Sequence, residues 1–285
     1  MLAPARDFIL RNARLLERQC FAVHFEGAPA TSIRRVLAAY QNDDGGFGHG
    51  LEPDKRDPHS QPVDLQFALE TMDAAGDFDV AMARRACAWA ASASTEEGGL
   101  PFALPTVNAY PHAPWWETQA DPPANLNPTA AIVGVLLKHR VEHPWIAAAE
   151  SFCWRAIGKI DRTEFHELMP VLAFLAHATD RARAQKATAD VLERIAAPDA
   201  VALDPDAAGY VHMPLEWAPT PQSLCRKLFS DAVIERHLDA LAAKQQADGG
   251  WPISWDTISP GVELEWRGVR TINALRTLQA YGRGI

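Results

Sequence analysis

An acid, one or two small residues, a glycine and then a large apolar side chain recur four times: "DGGFGHG" from Asp44, "EGGLPFA" from Glu97, "DAAGYVHM" from Asp206 and "DGGWPIS" from Asp248. The third copy carries one extra residue. Two copies share their approach as well, because "LAAYQNDDGGF" and "LAAKQQADGGW" both run from an apolar helical pattern through a glutamine into the Gly-Gly pair. A glycine just past a helix end can take positive φ and close the last turn, and the aromatic ring after it plugs the gap between neighbouring hairpins. A chain with such joints is a row of helical hairpins. Hairpins that cannot bury their faces alone must stack or close into a ring.

The intervening sequence agrees. Ile9, Ala13, Leu16, Cys20 and Val23 stand at helical spacing and predict one N-terminal helix. Further helical patterns run over 29–42, 62–75, 79–93, 128–141, 144–158, 164–178, 181–196, 221–229, 231–246 and 266–281, with Gly, Pro and Asp between them. No segment alternates with period two. The class is all-α, with roughly eleven helices in a single domain over 1–285.

Gln41, Asp44, Gly45, Gly46 and Phe47, and Gln245 or Gln246 with Asp248, Gly249, Gly250 and Trp251, give the chain its resemblance to the repeats of the terpenoid cyclase and protein prenyltransferase superfamily. The resemblance implies an α/α toroid of about five or six helical hairpins, inner and outer rings around a central cavity. It also implies an isoprenoid-type substrate. The Asp-x-Asp-Asp motif with which squalene and hopene cyclases start their reaction does not occur. No cysteine stands two residues after an aspartate, as the zinc site of the prenyltransferases requires, so neither zinc nor another cofactor is expected.

Composition narrows the partners. With 48% hydrophobic residues in 285 the chain can bury a large core. A net charge of −9, without any basic run interleaved with aromatics, excludes nucleic acid as a natural ligand. Cys20, Cys87, Cys153 and Cys225 are far apart and read as buried thiols. The N-terminal residues have no signal-peptide core, and the longest apolar run, 168–176, is too short for a membrane span and contains Pro170. The expectation is a soluble cytoplasmic protein, of bacterial style, whose partner is a small molecule.

Three segments can carry chemistry. "HGLEPDKRDPHSQPVD" gathers His49, Glu52, Asp54, Asp57, His59 and Asp64 ahead of a helix. Asp54, Asp57, His59 and Asp64 are the candidate acid/base residues, with His49 and Glu52 beside them for substrate. Two other readings stay open: a solvated loop whose acids cap the next helix or pair with Lys55 and Arg56, and an oxygen-type metal site.

The long connection from Gly98 to Pro128 is rich in proline and aromatics, and its Trp115, Trp116 and Glu117 are candidate substrate contacts in a lid or cavity wall. Its "YPHAPWWE" is echoed by "YVHMPLEW", with Tyr110, His112 and Pro114 matched by Tyr210, His212 and Pro214. Such rings either pack on the helices or offer their faces to a cation, a prenyl chain or a sugar. Finally, "GVELEWRGVR" sets Glu263, Glu265, Trp266, Arg267 and Arg270 on the last helix, where the two arginines either bind an anion such as a diphosphate or pair internally. A closed ring predicts that the three segments meet at one mouth of the cavity. The leading function is a terpenoid-cyclase-like or prenyl-binding protein acting on a small apolar isoprenoid. The rivals are a carbohydrate-active toroid enzyme and a non-catalytic scaffold.

Overall fold

Helix starts follow their caps. Asp79 and Ser230 each accept a backbone N–H three residues on, at 2.9 and 3.3 Å, opening α5 (Val80–Ala93) and α11 (Asp231–Ala243). Ser259 does the same for α12 (Pro260–Ala280), whose Pro260 stands at the first helical position. That cap starts the last helix six residues before the apolar periodicity does.

The computed structural model describes residues 1–161, 164–198 and 200–285. The other helices are α1 (Leu2–Asn12), α2 (Leu15–Phe25), α3 (Thr31–Leu37), α4 (Pro62–Ala75), α6 (Leu126–Lys138), α7 (Pro144–Ile157), α8 (Phe165–His177), α9 (Arg181–Ile195) and α10 (Pro214–Trp217). Among the described residues there is no strand, only three isolated β-bridges, so the chain is all-α. Among the described residues no helix is long and apolar enough to cross a membrane.

Three expectations change. The N-terminal pattern is two helices, broken at Ala13, whose backbone is extended at ψ 159° and whose carbonyl accepts from Arg18 Nε at 2.9 Å. The pattern at 221–229 is only a 3-10 turn, Leu224–Leu228. The pattern at 29–42 shortens to α3 and a 3-10 turn over Ala38–Tyr40, because Gln41 is already extended and entering the glycine joint.

The chain groups into two compact units, with the division falling inside α9. In the continuous unit, residues 30–191, α6 is buried nearly all round and packs on α4, α7 and α8. It lies so close to α8 that a Cβ on Gly134 would sit 2.5 Å from the Ala173 carbonyl oxygen. In the split unit, residues 1–29 and 192–285, α12 packs on α1, α2 and α11.

Three of the four glycine turns are built alike. The first glycine of each pair has positive φ: 92° at Gly45, 87° at Gly98 and 95° at Gly249. Its missing Cβ faces a backbone carbonyl of another helix: Arg85 in α5, Ala148 in α7 and Pro4 in α1. The second glycine is needed for close approach and not for φ, since a Cβ would lie 2.5 Å from Ser60 at Gly46, 2.5 Å from Phe152 at Gly99 and 2.8 Å from Phe8 at Gly250. Phe47, Leu100 and Trp251 are all buried.

The glutamines anchor the outer two turns. Gln41 Nε2 donates to the carbonyls of Gly45 and Met82, and Gln245 Nε2 to those of Gly249 and Met1. Beside the last turn, α1 therefore takes the place that α5 takes beside the first. The Asp206 copy is different: Gly209 also has positive φ, 89°, but nothing lies within 4 Å of its missing Cβ, and Tyr210 is 54% exposed. The expected equivalence of Tyr210 with Phe47 and Trp251 therefore does not hold.

Candidate functional site

The first loop folds inward. Gly48 lets it pass itself, since a Cβ there would lie 2.3 Å from the His59 carbonyl oxygen, and His49 sits in the left-handed region at φ 59°. Glu52, Asp54, Lys55, Asp57 and Asp64 are all buried. Lys55 Nζ stands 2.5 Å from Asp64 Oδ2 and 4.0 Å from Glu52 Oε2. Asp64 Oδ1 accepts the Glu52 N–H at 2.7 Å, and Glu52 Oε2 the Asp54 N–H at 3.1 Å. Asp57 takes four donors: the His59 N–H and Nδ1 at 2.9 and 2.7 Å, and Gln61 Nε2 and Thr106 Oγ1, each at 2.7 Å.

Burial pushes the Glu52 carboxyl up to about 8, with the Asp54 and Asp64 charges adding to it and Lys55 opposing. Burial likewise raises Asp64 against the pull of Lys55. At Asp57 burial works in the same sense but is outweighed by its donors, so that carboxyl is held below its ordinary value. Lys55 pairs with Asp64 and Glu52, whereas the sequence points to the Asp54 and Asp57 that straddle Lys55 and Arg56. Of the four candidate acid/base residues, only His59 is exposed, its ring 5.7 Å from that of Tyr110. His49, on the surface, reaches Asn42 Oδ1 at 2.8 Å.

The long connection is brought to this loop. Arg56 N–H donates to the Pro111 carbonyl and Ala113 N–H to that of Asp54, both at 2.8 Å. Trp116 is buried, stacked on Phe102 at 4.6 Å and 18°, with Lys55 Nζ 5.9 Å from its ring. Trp115 and Glu117 are exposed instead. The two loops thus clamp one another through backbone hydrogen bonds and the Thr106 hydroxyl on Asp57, beside a buried Lys55–Asp64 ion pair within the first loop, and Asp57 and Asp64 are consumed as acceptors.

The split unit presents a different arrangement. Arg267 is buried in the last glycine turn: Nη2 meets Asp248 Oδ1 at 2.7 Å, Nε donates to the Trp251 carbonyl at 3.3 Å, and the guanidinium lies 4.6 Å from the Phe8 ring centre. Arg270 lies four residues after Trp266, on the same helix face. Its Nη1 is 3.3 Å from Glu216 Oε1, while Glu216 Oε2 accepts the Met213 N–H at 2.9 Å and lies 3.7 Å from His212 Nδ1. Burial would raise the Glu216 carboxyl, but His212, Arg270 and the Met213 amide outweigh it and hold it below its ordinary value.

Beside this ion pair the rings of Tyr210, Trp255 and Trp266 meet in sequence. Tyr210 and Trp255 are 6.1 Å apart at 88°, and Trp255 and Trp266 are 5.3 Å apart at 81°. His212 stands against Tyr210 at 5.1 Å and 82°. Trp255 and Trp266 are half-buried. Glu265, partly exposed, directly precedes Trp266 in the same turn of α12.

Sequence reasoning found Trp266, Arg270, Tyr210 and His212 but missed Trp255 and Glu216. The second tryptophan of "DGGWPISWD" and the glutamate of "YVHMPLEW" were the available signals. Among the described residues no three His, Cys, Asp or Glu side chains group as a metal site. The four cysteines form no disulfide.

No protein-family model matches the chain, and no curated protein matches it. A crystal structure of a protein from Actinoplanes is similar over 98% of both chains, with a TM-score of 0.57 and 16% sequence identity. At that identity the likeness is one of fold alone.

Proposed function

We propose that the chain is a cytoplasmic α/α toroid of about five or six helical hairpins that binds a small apolar, isoprenoid-type ligand, and that the ligand seats on the Tyr210, Trp255 and Trp266 rings. The toroid is supported by the three like-built glycine turns and by α1 standing at the last as α5 stands at the first. The ligand reading is carried by one observation: three aromatic rings in successive contact, the first of them 54% exposed and the last, Trp266, on the face of α12 that also bears Arg270.

Binding is favoured over acid-initiated turnover. Asp54, Asp57 and Asp64 already accept hydrogen bonds or stand buried within the loop clamp, so none is presented to a ligand. A diphosphate head group is disfavoured too, because Arg267 is spent on Asp248 and Arg270 is balanced by Glu216. Titration with geraniol and farnesol, followed by tryptophan fluorescence and thermal denaturation, tests the reading. Both should bind and raise the melting temperature, and Trp255→Ala with Trp266→Ala should abolish the effect. Oligosaccharides that bind where prenyl alcohols do not would overturn it in favour of a glycan site.

A further inference from the structure

We infer that the aromatic cluster of the split unit recognises an alkylated ammonium group, so that the ligand is an apolar chain ending in a tertiary or quaternary amine. The inference rests on the reading that a small apolar ligand seats on these rings, and it adds the sign of the ligand's charge.

The geometry is that of two corners sharing a wall. Successive rings lie at 88° and 81°, so the face of each meets the next near a right angle. With centres 6.1 and 5.3 Å apart, a cation set in either corner lies within the ~6 Å over which a ring's negative face attracts it, from two rings at once. A methylated ammonium fits such a corner better than a bare one. Each methyl group replaces an N–H that would give up its hydrogen bond to water against a ring face.

The surrounding charges agree. The indole Nε1 atoms of Trp255 and Trp266 are both buried, so the donors that would draw an anion are withdrawn. Arg270, four residues along α12 from Trp266, is compensated by a Glu216 carboxyl held ionised. Asp256 and Glu263, both exposed, flank the two tryptophans in sequence and bias the local field toward cations.

Three probes sharing one tail and differing only in head charge supply the test: geranyltrimethylammonium, geraniol and geranyl diphosphate, titrated against the whole protein by calorimetry. The expected order is cation, alcohol, diphosphate, with the cation about tenfold tighter than the alcohol. Tyr210→Leu and Trp266→Leu keep apolar contact and remove the ring quadrupole, so they should bring the cation-to-alcohol ratio toward one while geraniol still binds. Equal affinity for cation and alcohol in the unmodified protein, or tightest binding of the diphosphate, overturns this inference and leaves the apolar-ligand reading standing. Binding of none of the three overturns both.

Discussion

The split unit contains two copies of one sequence motif with opposite fates. At Asp248 the glycines are two, the turn closes on α1, and Trp251 is 2% exposed with its indole N–H donating to the Leu241 carbonyl at 2.7 Å. At Asp206 the second glycine is missing and nothing lies within 4 Å of the Cβ that Gly209 lacks, so Gly209 takes the same positive φ without a close neighbour and Tyr210 is left 54% exposed. The comparison separates two jobs that one short motif performs. A single glycine reverses the chain. The second admits a neighbouring side chain, and only with it does the aromatic become core.

Gly249→Ala carries the largest expected effect. A Cβ there would lie 2.0 Å from the Pro4 carbonyl oxygen at a φ of 95°, so a loss of about 3 kcal/mol or more is expected in denaturant unfolding. An effect of 1 kcal/mol or less would show that α1 does not close on this turn.

Arg267→Ala comes next, at about 2 kcal/mol, because it strips a buried side chain from Asp248, the Trp251 carbonyl and the Phe8 ring together. Phosphate or prenyl diphosphate binding lost without any loss of stability would return Arg267 to a ligand role.

The continuous unit sharpens the same contrast between committed and spare groups. Glu52 rises from its ordinary 4.5 to about 8 in the folded chain, which therefore holds the proton more tightly than the unfolded chain. Its contribution is complete below its ordinary value and drains away as pH rises toward about 8, at up to about 1.4 kcal/mol per pH unit. Glu52→Gln, which mimics the protonated acid, should flatten that slope in unfolding measured from about pH 5 to 8. An unchanged slope would mean that the proton sits elsewhere.

Gly209→Ala should cost about 1 kcal/mol, the local strain alone. Tyr210→Ala should shift stability by less than about 0.5 kcal/mol while weakening ligand binding. A large stability loss at either position would make the third copy a working joint after all.

Much of this architecture was legible because glycine and proline act locally. Positive φ and helix starts are decided within a few residues, so the joints, the all-α class and most helices could be read from spacing. What could not be read depended on partners distant in sequence. The positive φ of Gly45 is local, but the close approaches are not: the Arg85 carbonyl bars a Cβ at Gly45 and the Ser60 side chain bars one at Gly46. The acids of the first loop looked like a reactive cluster because Lys55 was counted as one charge among many. Three-dimensional packing buries it against Asp64 and turns the cluster into a clamp. Trp255 escaped notice because its importance lies in its angle to two rings from other segments.

The close seating of α6 on α8 at Gly134 has a kinetic consequence. With nearly every side chain enclosed and Gly134 tight against Ala173, a partial opening of α6 would have to break its packing on α8. Its hydrogens should exchange with deuterium only when the continuous unit unfolds as a whole, giving a clock for that unit.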